Sequence, residues 1–324
     1  MKSSRRTFIQ QTPVAMAAAA NVLKEYPVPS PGFKAPGYKL TVLATNWGFS
    51  GTPDTFCAKV KSDGYDGIEI WAPRDDAARD TWMNALHKHN LSFGFLAGVG
   101  TADPVLHRQE FAAYLEQAVQ MKPLFVNCHS GRDYFSFDQN RAIIDDAVKI
   151  SKGSGIPVYH ETHRARILFA AHITREFIRN ISDLRLTLDI SHWCNVHHSL
   201  LADQPESVAL ALQRTDHVHS RIGHDQSAQV TDPRAPEWAN AVKAHFEWWD
   251  QVARYKMEKG EVLTMTTEFG PPTYMPTVPY TGQPLADQWA INVHMMQLWR
   301  EADEMGELSG GKGGGDGGKK NIRW

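Results

Sequence analysis

The feature that most constrains the fold is a change of period that recurs between positions 38 and 305, where short apolar or β-branched runs alternate with longer amphipathic ones. The runs at 39–45, 67–71, 91–96, 124–128, 157–161, 185–190, 217–221 and 262–269 read as strands. Each is followed by a helical pattern, at 53–62, 76–89, 104–121, 138–152, 167–180, 205–214, 236–259 and 286–305. Pro53, Pro104 and Pro236 suit a first helical position, and Asp75 and Asp203 suit N-caps. A strand that returns to its neighbour through a helix must pair with it in parallel. An open doubly wound sheet would want a glycine-rich phosphate turn after the first strand, but the turn is Asn46-Trp47-Gly48-Phe49-Ser50-Gly51, with no GxGxxG. The expected architecture is a single (β/α)8 TIM barrel over 38–305.

The flanks have a different character. Ser4-Arg5-Arg6-Thr7-Phe8-Ile9-Gln10, followed by an alanine-rich stretch, resembles a twin-arginine export signal. Positions 1–37 are therefore expected to be signal and linker, and the protein periplasmic, or cytoplasmic if the signal is not used. Positions 306–324, rich in Gly and Lys, cannot offset their ordering entropy and are expected to be a flexible tail. A formal net charge of −2 gives no footprint for a phosphate backbone, and no apolar run is long enough to span a bilayer. Neither nucleic acid nor membrane is expected as a partner. Cys57, Cys128 and Cys194 make no disulfide framework or CxxC motif and read as small core residues. Trp248-Trp249 reads as barrel packing or as the interface of a homo-oligomer.

In a parallel barrel the chemistry sits at the carboxyl ends of the strands. Strand four ends Asn127-Cys128-His129-Ser130-Gly131, and strand five Tyr159-His160-Glu161-Thr162-His163-Arg164. Strand six ends Leu188-Asp189-Ile190-Ser191-His192-Trp193, strand seven reads His217-Val218-His219-Ser220-Arg221, and strand eight ends Thr266-Thr267-Glu268-Phe269-Gly270. Residues two apart share a face, so His217, His219 and Arg221 point one way and His160 points away from Glu161. A carboxylate from each of three strands and an imidazole from a fourth can converge on the axis. Carboxylates so crowded repel unless a cation holds them. The oxygen-rich set suits one divalent metal ion, Mn2+ foremost, with Mg2+, Co2+ or Zn2+ as alternatives.

Unit order and strand-end motifs over about 38–305 resemble the xylose-isomerase-like TIM barrels, which include ketose 3-epimerases, hydroxypyruvate isomerases, inosose dehydratases and the endonuclease IV type of repair enzyme. The resemblance implies that Glu161, Asp189, His219 and Glu268 are the metal ligands, and that His192 and Arg221 contact substrate oxygens. The arginine lies closer to the metal histidine than in those epimerases. The repair enzymes use further histidines at early strand ends and an Asp-x-His pair. This chain has Glu69, Trp71 and Gly98 in the early positions and His224-Asp225 in place of the pair, and keeps only His129.

The expected partner is a small carbohydrate, handled as a keto sugar through an enediolate, with Glu161 and Glu268 as the acid–base pair. Metal-dependent elimination or hydrolase-like cleavage of 3-keto-glycosides by the same site is the alternative, followed by a silent sugar-binding barrel and an AP endonuclease. His163, Arg164 and Arg166 directly follow Glu161 and can hold further hydroxyls or a leaving group. Trp47 and Trp193 are expected at the pocket wall, with Phe49 and Trp71 less favoured, because aromatic faces pack on sugar C–H surfaces.

Overall fold

A computed structural model describes residues 36–305. The signal-like segment and the Gly/Lys-rich tail lie outside the described residues. The strands β1 (Lys39–Thr45), β2 (Gly67–Trp71), β3 (Ser92–Gly98), β4 (Val126–His129), β5 (Val158–Glu161), β6 (Leu186–Leu188), β7 (Thr215–His219) and β8 (Val262–Thr267) form a closed barrel in sequence order. All of its pairings are parallel, including β1 with β8. Around it lie α1 (Pro53–Ser62), α2 (Asp76–His89), α3 (Pro104–Gln120), α4 (Phe137–Ser154), α5 (Ala171–Asn180), α6 (Ser191–His197), α7 (Pro205–Arg214), α8 (Ala239–Lys259) and α9 (Gln288–Met305). No described helix is long and apolar enough to cross a membrane.

Local chemistry sets the helix starts. Thr52, Asp75 and Asp103 each accept a backbone N–H of the first turn, satisfying donors that a helix end leaves orphaned. Asp203 does not cap α7 as expected, because Gln204 occupies the cap position and Asp203 instead accepts from Ser199 Oγ at 3.0 Å. Strand six stops at Leu188 and an additional helix, α6, follows. The cause is Asp189, whose carboxylate accepts the backbone N–H of Ser191 at 3.2 Å and turns the chain. Helix α5 begins at Ala171 rather than 167, because the preceding segment is a turn in which Arg166 N–H bonds to His163 C=O. Strand β7 starts two residues early, directly at the end of α7, where Thr215 Oγ1 donates to Ala211 C=O.

The three cysteines are free and buried, and Trp249 is fully buried 5.7 Å from Trp299, so it serves barrel packing. Beneath the functional end the interior is filled by Phe125, whose ring lies 4.2 Å from that of His217. Gly94 makes room for it, since a Cβ there would come within 2.5 Å of the Phe125 ring. This plug leaves the polar inward residues of β2, β5, β7 and β8 stacked above an apolar floor.

At the amino end of the barrel, Arg185 donates two hydrogen bonds to Asp216, at 2.5 and 2.7 Å, and Lys256 donates a third. Burial pushes the Asp216 carboxyl up, but Arg185 and Lys256 outweigh it and hold the group below its ordinary value of 3.8. With a depressed folded-state value, its contribution is complete above the unfolded pKa and is lost as pH falls through the folded one. Asp216→Asn is expected to destabilise the protein by about 3 kcal/mol at neutral pH, through the two cations left behind. Urea unfolding at pH 7 and in acid checks this, with the gap between variant and wild type closing on acidification.

Candidate metal centre

At the carboxyl end of the barrel, Glu161 from β5, Asp189 after β6, His219 from β7 and Glu268 after β8 bring one ligand atom each within 4.8 Å of one another. All are buried. The pleat explains the convergence: His219 pairs with Thr266 and Glu161 with Thr187, so adjacent strands present their inward side chains at nearly one level.

The donor set fits a cation. Glu161 Oε1, Glu268 Oε2 and His219 Nδ1 are buried and lack a hydrogen-bond partner. His219 Nδ1 and Glu268 Oε2 stand 2.8 Å apart without the alignment of a hydrogen bond, and Glu161 Oε2 lies 3.6 Å from the same nitrogen. Buried carboxylate oxygens without a donor are costly, and an ion shared by Glu161 and Glu268 would relieve both, taking the place of the second His219 ring proton. Asp189 is more engaged: Oδ1 accepts from Ser191 and Oδ2 from the Arg221 guanidinium.

The electrostatics follow from this crowding. Burial pushes the Asp189 carboxyl up to about 7, with Arg221 opposing and Glu268 and Glu161 adding to the push. Burial works against a charged His219, yet Glu268, Glu69 and Glu161 hold its pKa well above the ordinary histidine value. Glu161 is desolvated, but His129 and His219 keep it well below the usual carboxylate range.

Of the residues expected to contact substrate, Trp47, His129, His163 and Arg221 border a cavity, whereas His192 is fully buried and neither it nor Arg164 is among the lining residues. The cavity, of ≈ 420 Å³, is lined by Trp47, Trp71, His129, His163, Arg221, Glu268 and Tyr274 among others. That volume falls in the range of roughly 300–1,000 Å³ typical of small-ligand sites. His129, His163 and His192 stand in a row with ring centroids 4.7 and 3.9 Å apart. His129 Nε2 lies 2.8 Å from Glu161 Oε2. His163 is pushed down to about 3 by burial and by the His129 charge, and its Nδ1 lies 2.6 Å from the Arg164 carbonyl. Burial, then His163 and Arg221, keep His192 neutral, and its Nε2 accepts from Arg221 Nη2 at 2.8 Å. The proton of that ring is therefore on Nδ1, which has no partner, as Arg221 Nη1 has none. Arg164 and Arg221 both lie over the Tyr274 ring, at 5.0 and 4.5 Å. Arg166 reaches the Val99 carbonyl at 3.5 Å.

The aromatic wall needs correcting. Trp193 is fully buried on α6, where its Nε1–H donates to Leu168 C=O at 2.9 Å, so it anchors the turn behind the site and does not line the cavity. Phe49 packs on Phe56 instead. Trp71, ranked lower from sequence, does line the cavity and is 48% exposed, and Trp47 is 37% exposed. A Cβ on Gly270 would come within 2.6 Å of the Trp47 ring, so that glycine sets the position of the wall. Tyr274 had no sequence signal, because it lies in an irregular excursion after β8. Glu69 did: an ionisable residue between Ile68 and Ile70 in a parallel strand buried on both sides needs a partner. A cavity of ≈ 410 Å³ at the opposite end is lined by Tyr159, Arg185 and Asp216, whose charges are already paired.

The closed barrel with this strand-end cluster has the fold of the xylose-isomerase-like TIM barrels. It is similar to the 3-keto-D-glucoside 4-epimerase of E. coli, with a TM-score of 0.55 and 14% identity over 81% of this chain and 100% of that one. A D-tagatose 3-epimerase-like protein gives a TM-score of 0.55 and 15% identity over 82% and 98%. The probable 3-DHS dehydratase AsbF from Bacillus anthracis gives 0.50 and 14% over 81% and 99%. No protein-family model matches the sequence, and no curated protein matches it significantly.

Proposed function

We propose that this chain is a divalent-metal-dependent sugar isomerase or epimerase that acts on a keto sugar or its derivative, with Glu161 and Glu268 as the acid–base pair. One observation carries the reading: two buried glutamates, each with an unpartnered oxygen, share a cluster with Asp189 and His219, and Glu268 of that cluster lines the cavity. Glu161, Asp189, His219 and Glu268 would hold the ion. When bound, a divalent ion polarises adjacent carbonyl and hydroxyl oxygens and so acidifies the C–H between them. One glutamate takes that proton and the other returns one to the opposite face or to the next carbon. Arg221 Nη1 is an unpaired donor suited to a substrate hydroxyl, with the unpaired Nδ1–H of the buried His192 next to it; His163 lines the cavity beside them, and Arg164 lies over the Tyr274 ring. Mn2+ suits the oxygen-rich donors best.

A second reading is elimination or hydrolase-like cleavage on a 3-keto-glycoside, for which the exposed Trp71 in the cavity lining offers an aromatic face to a further sugar ring. Product mass separates the two, because isomers keep the substrate mass and cleavage releases the aglycone. The Arg5-Arg6 segment supports a periplasmic location, where such glycosides would be met.

Elemental mass spectrometry of the purified protein is expected to find about one divalent ion per chain, lost in His219→Ala and on chelation. Chelated protein should lose activity on keto sugars and regain it with Mn2+. An ion-free wild type that also fails to take up Mn2+ would overturn the reading.

A further inference from the structure

Glu69, His217 and His219 form a second group of ligand-type side chains, with donor atoms within 4.8 Å of one another. In contrast to the cluster above it, this group is already saturated. Glu69 Oε2 lies 2.9 Å from His219 Nε2 and 3.0 Å from His217 Nε2, and it also accepts from Thr266 Oγ1. Glu69 Oε1 accepts from Asn127 Nδ2 at 3.2 Å. His217 Nδ1 is 2.8 Å from Thr264 Oγ1. Glu69, His217 and His219 are completely buried. A carboxylate facing four donors has little left to offer an ion.

Its effect falls on His219. An ionised carboxylate only accepts, so Nε2 of His219 must carry its proton toward Glu69. The proton that an ion would displace is then the one on Nδ1, the atom that stands beside Glu268 and Glu161. Asn127 extends the link, because the same amide donates to Glu161 Oε2 at 2.7 Å.

We propose that Glu69 is a positioning residue: from inside the barrel it fixes the orientation and ring tautomer of His219 so that Nδ1 faces the metal site, and through Asn127 it aligns Glu161. The proposal rests on the reading of Glu161, Asp189, His219 and Glu268 as a metal centre. Carboxylates that orient a ligating histidine raise its basicity, and their loss weakens metal binding by ~10–100-fold.

The test measures Mn2+ affinity of the full chain by competition with a chromophoric chelator, beside thermal unfolding of each metal-free protein. Glu69→Gln is expected to weaken Mn2+ by ~10–100-fold with about one ion per chain retained. Glu69→Asp keeps the charge in the barrel and so guards against a failure to fold. It is expected to weaken affinity too, because the shorter side chain withdraws from Nε2. The visible band of the Co2+-loaded protein should shift in Glu69→Gln, whereas a merely structural defect lowers occupancy without moving the band. Unchanged affinity in both folded variants would overturn the proposal and leave the metal centre standing. Loss of one of two ions would overturn it by making Glu69 a ligand, and a wild type that binds no Mn2+ would overturn the metal centre itself.

Discussion

Glu268→Gln is expected to lower turnover on a keto sugar by at least ~10³-fold while the barrel stays folded, since a positioned acid–base group contributes roughly 10²–10⁴-fold and the variant also removes an anionic ligand. The amide is nearly isosteric but cannot accept a proton. The substitution removes the repulsion that Glu268 adds at Asp189 together with its attraction to His219 and Arg221, so the two changes oppose each other. The metal-free variant is expected to melt cooperatively near the wild-type temperature, which separates lost activity from unfolding. Steady-state kinetics beside thermal unfolding checks this, and full activity in the variant would end the two-glutamate mechanism.

Arg221→Met should produce the largest change in stability, a loss of about 3–5 kcal/mol in the metal-free protein, the usual range when one partner of a buried ion pair is removed. Arg221 is only 1% exposed, contacts Asp189 Oδ2 and lies 3.5 Å from Glu268 Oε2. Its Nε donates to Ser191 Oγ at 3.3 Å. Methionine keeps much of the stem but leaves the carboxylates of Glu161, Asp189 and Glu268 with His219 as their nearby cation. Loading Mn2+ should stabilise the variant more than it stabilises wild type, because the ion supplies positive charge that wild type already has in part. Chemical denaturation with and without Mn2+ measures both effects. Equal metal-free stability would show that Arg221 does not balance these charges.

Much of the molecule was legible in the linear chain, for identifiable reasons. Periodicity located all eight strands, because parallel strands covered by helices are apolar runs and the covering helices are amphipathic. Errors fell at boundaries where a side chain takes over from the backbone pattern, as Asp189 does at the end of β6. Strand ends made a carboxylate at each of β5, β6 and β8 and an imidazole at β7 legible at one rim, and the resemblance to a family singled out His219 rather than His217 as the fourth proposed ligand. Trp193 was misplaced because it follows His192, which stands beside Arg221, but α6 rotates successive residues by about 100° and sends the indole toward Leu168.

The sequence by itself thus determined the architecture and the residue types at the rim, since both depend on local period and on the topology it forces. Only the tertiary structure decided which groups are paired and which are left free. Glu69 meets His219 across 150 positions of chain once the barrel closes. Tyr274 reaches Arg221 from an irregular loop that follows no period. Whether a buried carboxylate serves as ligand, base or support depends on how many donors the fold has already aimed at it, and local pattern carries no record of that number.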